Sequence, residues 1–158
     1  MTVPELIPVR HEPDYRTATI GRWDGGQFFA GVSGVFGGRD GDGRVVRRWY
    51  SVLHEFDAGG QHLESRIRSA GAVVDGPGRT RVVEAAQRLL EEWLDSLPGR
   101  RFADIAIAPF ALEVDGTLFG LVRECHGEYP EGEGQDDWAE LYPHRLGFSA
   151  PWDGTYDT

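Results

Sequence analysis

Apolar residues recur every three or four positions between Thr80 and Leu97. Val82, Val83, Ala86, Leu89, Leu90, Trp93, Leu94 and Leu97 thereby share one face of a predicted helix. Arg81, Glu84, Arg88, Glu91, Glu92 and Asp95 fill the other faces. Thr80 is placed to cap the first turn, and Pro98-Gly99 ends the last. On either side of this helix the pattern changes to strand-like runs punctuated by turns. Tyr15 to Arg22 and Gln27 to Phe36 flank Trp23-Asp24-Gly25-Gly26, and Arg44 to Phe56 and Gln61 to Ser69 flank Asp57-Ala58-Gly59-Gly60. Asp104 to Val114 and Thr117 to Glu124 flank Asp115-Gly116. Asp-Gly is a strong hairpin signal because tight turns need positive φ at their centre. Pro109 predicts that its strand is interrupted or lies at an edge, since proline cannot donate to a ladder.

Residues 1–14 read as an extended lead-in, 124–137 as a glycine- and acid-rich loop, and 138–158 as a docked tail. Trp138, Leu141, Tyr142, Leu146, Phe148, Trp152 and Tyr156 are spaced irregularly in that tail and predict a segment wrapping over the body. The expected fold class is therefore α+β in one domain. A single antiparallel sheet built from hairpins would carry one long helix on one face and a C-terminal aromatic wrap.

For the second hairpin, pairing Phe56 with Gln61 would set Glu55 against His62, Leu53 against Glu64 and Ser51 against Arg66. Tyr50, Val52, His54 and Phe56, with Leu63 and Ile67, would form the opposite, apolar face. Glu55, His62, Glu64 and Arg66 are then the candidate polar face: a carboxylate opposite an imidazole can orient it for acid–base work. The same pairs also suit an ordinary solvent-facing sheet. Trp138, Tyr142 and Trp152 are the candidate aromatic binding surface, because exposed aromatics make effective anchors.

Composition narrows the chemistry. All 16 basic residues are arginine, which excludes lysine Schiff bases and a P-loop lysine. Cys125 is the only cysteine, so no intramolecular disulfide forms, and it and His126 are adjacent on a strand and point to opposite faces. The five histidines (11, 54, 62, 126 and 144) show no zinc spacing, and Asp40-x-Asp42-Gly43 lacks the later ligands of a calcium loop. No metal or cofactor is expected, and no catalytic motif stands out. Gly31-Val32-Ser33-Gly34 lacks the strand-to-helix setting of a phosphate loop.

The net charge of -10 is concentrated near the end: Glu124, Glu128, Glu131, Glu133, Asp136, Asp137, Glu140, Asp153 and Asp157 face only Arg145. That argues against direct nucleic-acid binding and for a basic protein partner. No apolar run approaches the ~20 residues of a membrane helix, and the N-terminus lacks the basic start and apolar block of a secretory signal, so a cytoplasmic protein is expected.

Four stretches carry a resemblance to a known group: RHEPDYRTATIGRWDGGQFF (10–29), RRWYSVLHEFDAGGQH (47–62), EEWLDSLPGR (91–100) and LYPHRLGFSAPWDGTYDT (141–158). Together they resemble small actinobacterial proteins labelled formate hydrogenlyase regulatory protein. The resemblance implies a regulator of a formate-oxidising, hydrogen-evolving system and brings no site residues with it. The charge asymmetry, the absent catalytic motif and the small single-sheet build point to a non-enzymatic regulatory or protein-binding module, of accessory or immunity type, using its acidic, aromatic C-terminal surface. The alternative is a small enzyme or small-molecule-binding domain with a pocket between the sheet and the C-terminal tail. A homodimer through an exposed sheet edge is compatible with either.

Overall fold

A computed structural model describes residues 3–125 and 138–158. The expected stretch 124–137, with His126 and most of the acidic block, thus lies almost wholly outside the described residues. The architecture is antiparallel sheet with one helix. Three sheets replace the single one expected: β5-β4-β3-β2-β6, β11-β10-β9-β8 and the small pair β1-β7.

The five-stranded sheet contains β2 (Ile20–Trp23), β3 (Gly26–Arg39), β4 (Val45–Phe56), β5 (His62–Val74) and β6 (Arg101–Phe102). Helix α1 spans Arg79–Asp95 and lies on one face of it. There Phe28, Ala30 and Leu53 pack against Leu90, Leu94 and Leu97, with Trp23, Val32 and Trp93 around them. The helix thus covers the Ser51, Leu53 and Glu55 side of β4. Ser51 even donates to the helix carbonyl of Ala86 at 2.6 Å. Thr80 is not the cap. The N-cap is Gly78, which offers no side-chain bond, and the helix starts one residue earlier than the apolar pattern predicts.

The other face of β4 carries Tyr50, Val52, His54 and Phe56, and a second sheet covers it. That sheet contains β8 (Phe110–Val114), β9 (Thr117–Glu124), β10 (Trp138–Tyr142) and β11 (Leu146–Phe148). Its Leu121, Leu141, Leu146 and Phe148 pack with Phe29 and Phe56 of the large sheet. The expected aromatic wrap is therefore corrected: the first part of the tail, through Phe148, forms two core strands. Tyr156 packs against the same cluster and Asp157 pairs with Gly147. Pro109 has both effects foreseen for it, since it separates β7 (Ile105–Ile107) from β8 and β8 is an edge. The Asp115-Gly116 turn has positive φ at both residues, 53° and 77°.

The register of β4 with β5 differs from expectation. Phe56 pairs with His62 and Glu55 with Glu64, leaving Leu63 as an extra residue; Tyr50 pairs with Ser69 and Trp49 with Gly71, leaving Ala70 as another. Such bulges arise where the strand must twist, and each shifts every side chain beyond it by one position. β5 is also an outer strand of the sheet, pairing with β4 alone among the described residues.

Gln27 ties the small β1 (Ile7–Val9)–β7 pair to the large sheet. Its buried amide donates to the Ala106 carbonyl at 3.1 Å and accepts from the Ala106 N–H at 2.8 Å. Gln27→Leu keeps the volume but orphans both backbone groups. Chemical denaturation should show a loss of at least about 2 kcal/mol, from roughly 1–3 kcal/mol for each of the two unsatisfied buried groups. A loss below about 0.5 kcal/mol would show that water replaces the amide.

Candidate functional site

The most chemically distinctive concavity lies on the helix side of the large sheet, at the N-terminal tip of α1. It measures about 470 Å³ and is lined by Arg16, Val32, Gly34, Arg47, Trp49, Asp75, Arg79, Pro143 and His144. Strand periodicity builds its floor, because Val32 and Gly34 of β3 and Arg47 and Trp49 of β4 share one face. Gly34 is required there, since a Cβ would come within 2.7 Å of the Trp49 ring lying across it. The Arg79 guanidinium sits 4.8 Å above the centre of that ring, a cation–π contact that fixes the first residue of the helix over the floor. Arg47 is half-buried and bonds Asp75 through Nε at 2.9 Å, which leaves its two terminal nitrogens outside that bond.

His144, from the turn between β10 and β11, closes one wall. Its Nε2 lies 2.8 Å from Ser33 Oγ. Burial, reinforced by the Arg16 charge, pushes its pKa down to about 4, so the imidazole is neutral at pH 7. Arg16 and Arg79 make no carboxylate contact among the described residues.

The electrostatics of the tip run against ordinary helix design. Helix N-termini favour acids, yet the first turn here has none and begins with Arg79. The first residue of the helix, Arg79, thus lines one cavity with Arg16 and Arg47, and among the described residues the only carboxylate in that lining is Asp75. Local choices that cost stability tend to mark functional positions. Chemically, this arrangement suits an anion; among its described lining residues no nucleophile is paired with a base that could activate it.

A second polar chain lies between the two large sheets. His54 Nδ1 and His62 Nε2 lie 2.6 Å and 2.7 Å from the one hydroxyl of Ser65. His62 stacks on Phe110 at 4.6 Å. Burial, and then the neighbouring His62 and His144, push His54 down to about 3. Burial lowers His62 as well.

The residues expected to form the polar face are only partly together. The Leu63 bulge moves His62 to the opposite, apolar side with Phe56 and Phe110, away from Glu55. Glu64 stands opposite Glu55 instead of Leu53, and Arg66 stands opposite Leu53 instead of Ser51. Arg66 Nε approaches Glu55 Oε2 at 3.8 Å, and Arg66 also reaches Ser96 Oγ at 3.4 Å. Burial raises the Glu55 pKa, with Arg66 opposing and Glu64 adding.

The candidate aromatic surface divides likewise. Trp138 and Tyr142 lie on the outer side of β10, where Tyr142 donates to Glu124 at 2.6 Å and the Arg145 guanidinium lies 5.0 Å over its ring. Trp152 instead packs against the core shared by the sheets. Trp138, with Glu140, Arg145, Gly147, Ser149, Asp157 and Thr158, lines a separate cavity of about 350 Å³.

Sequence reasoning passed over Arg16, Arg47, Arg79 and His144. The legible signal was the Arg79-Thr80-Arg81 start of the helix, where acids are usual. Asp40, weighed as a calcium ligand, accepts from the backbone N–H groups of Asp42 and Arg44 and pairs with the Arg44 side chain. Among the described residues no helix is long and apolar enough to cross a membrane. Comparison of the chain with protein-family models, curated proteins and solved structures finds no match.

Proposed function

We propose that this chain is a non-enzymatic binding module that holds an anionic small molecule in the cleft between the large sheet, the helix tip and the C-terminal segment. The observation that carries this reading is the pair Arg16 and Arg79, both lacking a carboxylate contact among the described residues and both lining one cavity. Most arginines of this chain lack a carboxylate contact among the described residues, so what sets this pair apart is that both line one cavity together with Arg47. A regulatory role of the kind the sequence resemblance implies is compatible with a module that senses such a ligand.

Millimolar phosphate should raise the melting temperature above that in chloride of equal ionic strength. Arg79→Gln should weaken the effect roughly tenfold or more, the scale of a lost charge-assisted hydrogen bond. The variant also separates binding from the general stabilisation that phosphate gives by exclusion from the surface. Equal protection of both proteins would sink the proposal.

A second reading, a surface for a basic protein partner, is favoured by the outer side of β10. There Trp138 and Tyr142 stand beside Glu140 and Glu124. Salt-sensitive capture of a basic protein, lost in Trp138→Ala, would support it. Capture unaffected by that change would count against it.

A further inference from the structure

Resting on the reading of the arginine cleft as an anion site, we propose that its ligand is a small organic phosphate monoester. The phosphate would lie among Arg16, Arg47 and Arg79, and the organic body in the adjoining compartment beyond His144.

Charge selects the head group. Among the described lining residues three arginines stand against one carboxylate, Asp75, an excess of two positive charges. A phosphate monoester carries about -1.5 to -2 near neutral pH, whereas a single carboxylate would leave one cation unmatched. His144 contributes no charge at pH 7, because burial holds it neutral. The terminal nitrogens of Arg47 remain outside its Nε bond to Asp75, and guanidinium forks suit phosphate oxygens.

Geometry selects the rest. A second compartment of about 450 Å³ runs along α1, and Arg16, Val32 and His144 are common to the linings of both. Tyr15, Leu90 and Leu94 supply its apolar surface. Each compartment is within the size range of small-molecule sites, roughly 300–1,000 Å³. Polarity is built in as well. Glu91 lines only the second compartment and would repel a phosphate there, so the anion belongs at the helix tip.

Calorimetric titration of the full chain with inorganic phosphate, phenyl phosphate and phenol tests this directly. Phenyl phosphate should bind at least about tenfold more tightly than phosphate, the gain from burying part of one ring, while phenol alone should not register. Tyr15→Ala removes a side chain that is 68% exposed, so the fold should not depend on it. This change should lower phenyl phosphate affinity several-fold and leave inorganic phosphate unchanged, whereas Arg79→Gln should weaken both alike. Phosphate binding with no preference for phenyl phosphate would overturn the two-compartment ligand and leave the anion site standing. Equal losses for both ligands in Tyr15→Ala would likewise overturn it. Binding of neither ligand would remove the anion site as well.

Discussion

Phe56→Ala should destabilise the protein by about 3–5 kcal/mol, the range for truncating a buried aromatic when its surroundings cannot close the cavity. Phe56 is fully buried at the end of β4 and belongs to the cluster shared by all three sheets. It meets Phe110 edge-on at 5.1 Å and His62 at 5.7 Å, and those two rings stack on each other. The cavity would therefore open where β1, β4, β7 and the C-terminal sheet converge, with no single element free to move in. Phe56→Leu should recover more than half of the loss. Leu63→Ala, at an adjacent but 58% exposed position, should stay within about 0.5 kcal/mol of wild type. Denaturant midpoints at constant slope would measure all three, and a Phe56→Ala loss below about 1.5 kcal/mol would contradict a tightly packed junction.

Acidification from pH 7 to pH 5 should remove roughly 3–4 kcal/mol, mostly through His54 and His144. Their folded pKa values, about 3 and about 4, lie below the ordinary histidine value of 6.5. Between those limits the unfolded chain takes up protons that the folded chain refuses. Stability is therefore full above about pH 6.5 and falls as pH drops toward 4, at about 1.4 kcal/mol per unit for each histidine. His62 adds in the same direction, since burial lowers it too. Glu55, whose pKa is raised, opposes the trend only in the carboxylate range. His144→Gln should remove nearly half of the slope. Equal denaturant midpoints at pH 7 and pH 5 would contradict two neutral buried imidazoles.

Elements governed by local periodicity were legible in the sequence. Ala86, Leu90, Leu94 and Leu97 are buried as their three-and-four spacing requires, and the Asp115-Gly116 turn takes the positive φ that its residues favour. Asp24-Gly25 also joins a hairpin, but for another reason. The positive φ falls on Gly26, and Gly25 is glycine because a Cβ would strike the Trp23 ring. Less legible was the Leu63 bulge. An extra residue leaves composition and alternation nearly unchanged, yet it carries His62 across the sheet. In the tail, half-buried Trp138 and Tyr142 flank buried Ala139, Glu140 and Leu141, and large aromatics at both ends of the run hid a regular strand. The arginine cleft was least visible. Arg16, Arg47 and Arg79 are distant in sequence and line one cavity only because β4, the helix tip and the lead-in to β2 converge.

The outer strand β5 has a consequence for how concentrated the protein can become. A run of 13 residues with one side unpaired among the described residues is a template on which further chains can add. Its two extra residues, Leu63 and Ala70, break that template into short pieces, and Glu64, Arg66 and Arg68 place charge along the piece between them. Colloidal behaviour thus depends on local twist as well as on net charge. Deleting Ala70 would straighten the strand, and the defect would register in light scattering before it registered in the melting temperature.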